Sequence, residues 1–159
     1  MRHNPERLQA LKNLALLDTA PEVVYDDLIR LLAKAFDVPI AMVNLLDADR
    51  DWFKSCIGVT LTESPAETSF CEIFFHCDDD FFVIPDTTAD ARFADHPLVV
   101  NPPFIRFYAS ARLAVDGHTV GTLCIYDTKV KQVSAEQLEI LGAMRLAAME
   151  TLARRTRGA

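Results

Sequence analysis

The sequence predicts a single α+β domain, with helices near both ends of the chain and antiparallel strands between them. Three observations predict this class. Apolar residues recur at helical spacing near both ends, two pairs of strand-like segments are joined by turn sequences, and two long irregular stretches interrupt the strands. The 159 residues, half of them apolar, suffice for one domain with one core and are too few for two.

The first predicted element is an N-terminal helix. Asn4 is placed to cap it, Pro5 suits its first position, and leucine and alanine recur at helical spacing up to about Leu17. Residues 1–20 are therefore predicted to form this helix, which is a candidate dimerisation element. The domain itself is predicted to span residues 21–155.

A second helix is predicted over residues 21–36. Thr19 and Glu22 have the spacing of a capping box, and the apolar residues that follow form one stripe. Pro39 prevents the helix from continuing.

A β-hairpin is predicted next. Residues 40–46 are nearly all apolar, residues 47–50 form a polar turn, and residues 52–57 alternate before Gly58 ends the strand. The acidic turn superficially resembles a calcium loop, but it lacks the glycine and glutamate that such a loop requires.

Two irregular stretches are predicted to cover one face of the sheet. The first cover, residues 59–80, is polar apart from a short helical piece at 72–76, and the second cover, residues 85–103, contains four prolines. A brief strand at 81–84 separates them. Long irregular segments in compact domains are commonly functional.

The most regular alternation spans residues 105–115. One face of this predicted strand is apolar, and the other carries Arg106, Tyr108, Ser110 and Arg112. The Asp116-Gly117 pair is typical of a tight hairpin turn, since both positions favour positive φ, and residues 119–126 supply the partner strand.

The last predicted helix begins at Ser134, which forms a second capping box with Gln137. It is predicted to run to about Arg155, with four residues sharing its buried face: Leu141, Met144, Ala148 and Leu152. Residues 156–159 are predicted to be a disordered tail.

Composition limits the classes of binding partner and the cellular compartment that the protein is expected to have. Sixteen Lys and Arg residues against 23 Asp and Glu residues give a net charge of −7, which disfavours nucleic acid as a partner. No apolar run reaches the roughly 18 residues that a membrane span requires. The four cysteines lack metal-type spacing and are expected to be free thiols, so a cytoplasmic protein without membrane contact is predicted.

Five short motifs, in this order along the chain, resemble the GAF domain family: Thr68-Ser69-Phe70-Cys71, Pro85-Asp86, Ala91-Arg92-Phe93, Ile105-Arg106-Phe107-Tyr108 and Gly121-Thr122-Leu123-Cys124. The resemblance covers roughly residues 22–152. It implies a central antiparallel sheet of five or six strands, with the terminal helices on one face and a roofed pocket on the other. It also implies a small-molecule sensor that acts on a separate partner protein.

Two charged residues are candidates for the pocket. Arg106 either points to water or lies under the covers, where its guanidinium would bind a carboxylate or phosphate. Asp86 either accepts from a ligand or caps the turn after Pro85. Arg92 is expected to pair with a nearby aspartate.

Aromatic side chains and one thiol complete the predicted ligand site. We assign Phe70, Phe93 and Tyr108 to its walls together with Cys71, while Trp52 faces either a ligand or the core. No motif for a cofactor, a metal or a hydrolytic centre is present.

Three functions stay open at this point. A non-enzymatic sensor that dimerises through its terminal helices is the leading hypothesis. The second is a thiol redox enzyme or sensor resembling the free methionine sulfoxide reductases, with Cys71 as nucleophile and Cys77 or Cys56 as resolving thiol. The third is a ligand-free scaffold for dimerisation, in which apolar side chains fill the space beside Arg106 and Tyr108.

Overall fold

The computed structural model describes residues 1–157. Within them, six antiparallel strands form one sheet in the order β3-β2-β1-β6-β5-β4. The strands are β1 (Ile40–Leu46), β2 (Arg50–Ile57), β3 (Glu63–Pro65), β4 (Phe81–Ile84), β5 (Phe107–Val115) and β6 (His118–Asp127). The α+β class and the antiparallel sheet are confirmed. The short edge strand β3, inside the first cover, was not predicted.

Among the described residues, four α-helices accompany the sheet: α1 (Pro5–Asn13), α2 (Val23–Phe36), α3 (Pro97–Val100) and α4 (Ala135–Arg157). Short 3₁₀ helices lie at Ala66–Thr68, Phe70–Phe75 and Thr87–Ala89 in the covers. Helix α4 continues to residue 157, so the prediction of a disordered tail is wrong for residues 156–157. Residues 158–159 of that tail lie outside the described residues.

Helices α1, α2 and α4 bury one face of the sheet. Their apolar side chains join the inward side chains of the strands in a single packed core, which includes Leu11, Tyr25, Val43, Leu123 and Leu141. The apolar side of α1 is thus used within its own domain, since Leu11 and Leu14 are each only 1% exposed. The buried side of α1 is therefore not available for dimerisation, and a dimerisation role for the rest of α1 stays a prediction.

Local signals place several elements as predicted. Asn4 accepts from the amide of Arg7 at 3.0 Å and caps α1. Ser134 and Gln137 exchange side-chain-to-backbone hydrogen bonds of 2.9 and 3.1 Å, which is the predicted capping box. Asp116 and Gly117 have φ values of 53° and 78° and turn β5 into β6.

The predicted capping box at the start of α2 is wrong. The helix begins at Val23, and its N-cap Glu22 makes no capping bond. The buried ammonium of Lys54 explains the difference, because it donates to Thr19 Oγ1 at 2.7 Å and contacts a Glu22 carboxylate oxygen at 2.7 Å. Because Lys54 lies on β2, the side chains of Thr19 and Glu22 point toward that strand and do not cap the helix.

The covers bury the other face of the sheet. Arg112 on β5 ties the first cover down, because its guanidinium donates to the carbonyl oxygens of Phe74, Cys77 and Asp79 at 2.7–3.2 Å. Beneath the covers lies a second apolar cluster rich in aromatic rings, with members such as Phe70, Phe74, Phe93, Tyr108 and Tyr126. The sheet therefore separates two cores.

Two glycines with positive φ give a test of this packing. Gly58 has φ +85°, and a Cβ there would lie 2.1 Å from the carbonyl oxygen of Pro39, whereas a Cβ at Gly117 meets nothing within 4 Å. Gly117→Ala should cost about 1–2 kcal/mol from backbone strain alone. Gly58→Ala should lower the free energy of unfolding by about 2–5 kcal/mol, since a steric clash adds to the strain. Urea denaturation measures both, and equal losses would contradict the packing described.

Candidate ligand-binding site

A cavity of about 170 Å³ lies between the sheet and the two covers. Leu61, one of the lining residues, is 61% exposed. The walls of the cavity are mostly apolar and come from both covers and from strands β1, β2 and β6: Ile40, Met42, Asn44, Asp51, Phe53, Val59, Leu61, Ser64, Thr68, Ser69, Phe70, Leu98, Pro103, Ile105 and Tyr126. An apolar cavity of this size accommodates a small aromatic molecule.

Two polar residues of the β1–β2 hairpin form the polar end of the cavity. Asn44 interrupts the apolar strand β1, and Asp51 lies near the start of β2; the two side chains are only 1% and 3% exposed. The hairpin pairs Leu46 with Asp51, so both polar side chains reach the same end. The Asn44 amide Nδ2 donates to Asp51 Oδ2 at 3.1 Å.

Arg2 extends this polar end toward the N-terminal segment. Its guanidinium Nη1 donates to Asp51 Oδ1 at 3.0 Å, and its Nε donates to Glu72 Oε1 in the first cover at 2.8 Å. The side chain is 4% exposed. Arg7 secures the backbone of this segment by donating to the Arg2 carbonyl oxygen and, at 2.7 Å, to that of Leu46.

Burial has the largest single effect on the pKa values of Asp51 and Arg2. It raises the pKa of Asp51 above its ordinary value, against the opposing effects of the Ser69 hydroxyl, the Arg2 guanidinium and the Asn44 amide. Burial also disfavours the charge on Arg2, but Asp51 and Glu72 outweigh it and raise the pKa of Arg2. The charged pair is therefore kept together by mutual attraction.

Two buried oxygens at this end have no hydrogen-bond partner within residues 1–157: Asn44 Oδ1 and Ser69 Oγ. The Ser69 hydroxyl lies near enough to Asp51 to affect it electrostatically but falls outside hydrogen-bonding geometry. A buried acceptor without a donor is costly. A ligand that brings an N–H or O–H group to Asn44 Oδ1 would remove that cost.

The predicted aromatic walls are only partly found at the cavity. Phe70 lines it. Phe93 stacks on Phe70, with 5.3 Å between ring centroids, and lines a neighbouring surface cleft instead. Trp52 lies in the helix-side core, because alternation along β2 sends Phe53 to the cavity and Trp52 to the opposite face. The placement of Trp52 in the ligand site is thus corrected.

Arg106 and Asp86 form hydrogen bonds with groups in and next to the second cover, and they do not line the cavity. Arg106 Nη1 donates to the carbonyl oxygens of Val99 and Ile105 at 2.9 and 3.2 Å. Asp86 caps the 3₁₀ helix after it by accepting from Thr88, whose hydroxyl and amide lower the pKa of this carboxyl. Neither lines the cavity, so the roles of anion reader and ligand acceptor are corrected to loop anchoring.

Arg92 behaves as predicted, since it pairs with Asp90 at 2.7 Å.

Cys71 and Tyr108 belong to a closed polar cluster under the first cover. Cys71 Sγ lies 3.2 Å from Tyr108 Oη, 3.1 Å from Thr122 Oγ1 and 3.9 Å from Cys124 Sγ. All four residues are fully buried, and none of them lines the cavity. The space beside Tyr108 is filled by aromatic rings, so the predicted ligand contacts of Cys71 and Tyr108 are corrected as well.

The thiol partner of Cys71 also differs from the prediction. Cys77 and Cys56 face backbone carbonyl oxygens, whereas Cys124 lies beside Cys71. Burial raises the pKa of the Cys124 thiol well above its usual range. For Cys71, hydrogen bonding with Cys124, Thr122 and Tyr108 outweighs burial and lowers the pKa of the thiol. The pair has the proximity of a dithiol but no solvent access.

Sequence reasoning missed the three residues of the polar end: Arg2, Asn44 and Asp51. One signal was available, because Asn44 is the lone polar residue in an apolar strand. Asp51 directly follows the predicted turn at residues 47–50, and that position does not mark it as a site residue. Nothing in the local sequence connects Arg2 with a residue that lies 49 positions further along the chain.

Within residues 1–157, no group of three or more His, Cys, Asp or Glu side chains is arranged to hold a metal ion. No helix of that part of the chain combines the length and apolarity that crossing a bilayer demands.

Comparison with known proteins identifies the family. The model of the GAF domain matches residues 20–151. The chain belongs to the GAF domain family. A cyclic di-GMP phosphodiesterase of Pseudomonas aeruginosa is 34% identical over 144 residues, which cover 87% of this chain. The GAF chain spans only 24% of that protein's length.

Solved structures agree on the GAF fold. The GAF domain of an Acinetobacter phosphoenolpyruvate-protein phosphotransferase has a TM-score of 0.66 at 11% identity, covering 95% of both chains. A free methionine-R-sulfoxide reductase from Neisseria meningitidis also gives 0.66, at 19% identity over 94% of this chain and 87% of that one. At these identities the likeness shows the fold alone.

The burial of the thiols predicts their reactivity. Under native conditions iodoacetamide should label the half-buried Cys56 and Cys77 first, while Cys71 and Cys124 should stay unmodified until the protein is denatured. Peptide mass mapping at successive times measures the order. Rapid native labelling of Cys71 would contradict the closed cluster and would favour the redox hypothesis.

Proposed function

We propose that this GAF domain is a non-enzymatic sensor whose cavity binds a small, largely apolar molecule carrying an N–H or O–H donor. The observation that supports this most directly is Asn44 Oδ1, a buried acceptor without a donor at the edge of an apolar cavity. The volume of the cavity restricts the ligand to about the size of one or two rings, and the unpaired Asn44 oxygen orients it.

Binding would act on the covers. The cavity is walled by residues of the first cover, such as Ser69 and Phe70, and by Leu98 and Pro103 of the second cover. A ligand between them adds contacts that the empty domain lacks. It therefore favours the state in which both covers are closed on the sheet, and coupling requires this difference in affinity between states.

We place the output of the domain on helices α2 and α4, through a homodimer. These helices pack together and still expose apolar side chains, with Leu31 57% and Leu146 64% exposed. A two-fold axis would bury the same patches of both copies against each other. The response would then pass to a partner protein. Free cysteines fit a reducing compartment, and we propose the cytoplasm.

The redox hypothesis is the second candidate, because the sulfur atoms of Cys71 and Cys124 lie 3.9 Å apart. It ranks below the sensor because neither thiol is exposed and neither lines the cavity. The scaffold hypothesis has support from the filled space beside Tyr108. It does not account for the cavity at Asn44.

A pair of matched probes tests the sensor. Indole and indene have nearly the same shape, but only indole offers an N–H donor. Indole should bind about fivefold more tightly or better, since one hydrogen bond to a buried acceptor contributes about 1 kcal/mol. Ligand-observed NMR titration gives both dissociation constants.

Asn44→Leu should abolish the preference for indole, while the exposed control Asn101→Leu should keep it. Binding of neither probe, or an unchanged preference in Asn44→Leu, would overturn the proposed ligand class.

The dimer has its own test. Leu146→Glu should convert the protein from dimer to monomer in sedimentation equilibrium, because it places a charge in the apolar interface. Val130→Glu is the control, since Val130 is 50% exposed and lies outside the helices. A monomeric wild type, or a dimer that withstands Leu146→Glu, would refute the helical interface.

A further inference from the structure

We infer that Arg2 is a positioning residue for the ligand cavity: by holding Asp51, it keeps the Asn44 carboxamide turned with its oxygen available to a ligand. This inference rests on the proposed function, because it concerns the same cavity. Arg2 precedes residues 20–151, the region that matches the family model. The polarity of the cavity is therefore determined by a residue outside that region.

The orientation of the Asn44 carboxamide follows from the charge on Asp51. An ionised carboxylate only accepts hydrogen bonds, so the Asn44 group that meets Asp51 Oδ2 at 3.1 Å must be the NH₂. The carboxamide oxygen is then the group left over, and it is the one without a partner. The ionised state of Asp51 thus makes the cavity prefer donors.

The charge on Asp51 depends on its burial and on the groups around it. The carboxylate is 3% exposed, and burial favours its neutral form. The charged or titratable groups that act on it are Arg2 at 3.0 Å, Arg7 further along the N-terminal segment, and the Cys71 thiol of the first cover. Among these, only Arg2 forms an ion pair with it. Arg2 therefore supplies the paired cation that, together with the Ser69 hydroxyl and the Asn44 amide, favours the ionised form of Asp51.

Loss of Arg2 would reverse the orientation of the Asn44 carboxamide. A buried carboxylate without its cation takes up a proton. Protonated Asp51 can donate to Asn44 Oδ1, which turns the carboxamide over and leaves its NH₂ free. The cavity then offers donors, and its preference moves from ligands that donate to ligands that accept.

Arg2 also has contacts that fit a purely structural role, so the test must separate the two. It pairs with Glu72, and its guanidinium lies 5.3 Å from the centroid of the Phe75 ring. Glu72→Gln is the matched control, since it removes one ion pair of Arg2 and leaves the contact with Asp51. Arg2→Lys is the conservative variant, because an ammonium can still pair with Asp51.

The experiment compares indole, which donates, with benzoxazole, which has a similar shape and only accepts. Ligand-observed NMR titrations give the ratio of their dissociation constants for the wild type, Arg2→Gln, Arg2→Lys and Glu72→Gln. In Arg2→Gln the preference for indole should fall at least fivefold. Glu72→Gln should keep it, and Arg2→Lys should recover most of it even if Arg2→Gln fails to fold.

A second readout needs no ligand. The side-chain NH₂ protons of Asn44 should exchange slowly with solvent in the wild type, where they are bonded to Asp51, and faster in Arg2→Gln.

The outcomes separate the two proposals. If the wild type prefers indole and Arg2→Gln prefers it equally, Arg2 is merely structural and the inference is overturned, while the proposed function stands. If the wild type shows no preference, recognition of donors by the cavity is overturned. In that case unchanged exchange of the Asn44 protons in Arg2→Gln would overturn the role of Arg2 independently.

Discussion

The buried ion pair between Arg2 and Asp51 is the interaction on which the cavity end of this domain depends. It connects three parts that are distant in sequence: the N-terminal segment, the β1–β2 hairpin and, through Glu72, the first cover. Removing one partner of such a pair typically costs about 3–5 kcal/mol, since it leaves a buried charge uncompensated. By contrast, an exposed ion pair such as Arg92–Asp90 contributes little to stability.

The two faces of the sheet are covered in different ways, and the cavity described above lies on the face under the irregular covers. Long helices cover one face and present regular apolar stripes, so side chains such as Leu11 and Leu141 fill the space. The opposite face is covered by irregular segments, which must also satisfy their own backbone groups. Arg112 and Arg106 donate hydrogen bonds to backbone carbonyl oxygens of these segments. Because the covers are held in place by these hydrogen bonds, they leave a space beside the β1–β2 hairpin.

Local signals made most of the fold predictable. The Asp116-Gly117 turn, the Ser134 capping box and the alternation over residues 105–115 each depend on a few neighbouring residues, and each was found as expected. The start of α2 was not, because Lys54, distant in sequence, takes the groups that would have capped it. The prediction failed where a distant charge competed with a local motif.

The candidate site was less predictable for the same reason. Arg106 and Asp86 have the chemistry of ligand readers, but nearby loop groups satisfy them. Asn44 and Asp51 become a site only when the hairpin aligns them and Arg2 reaches them from the N-terminal segment. The residue types were visible in the sequence, whereas their partners were not.

A crystal structure of the protein with indole, at a resolution that distinguishes the two ends of the Asn44 carboxamide by their hydrogen bonds, tests this account most directly. We expect the ring between the sheet and the covers, its N–H within about 3 Å of Asn44 Oδ1, and Asp51 held between Arg2 and the Asn44 NH₂. An Asn44 oxygen already bonded to a protein group, or a cavity closed by side chains, would contradict it.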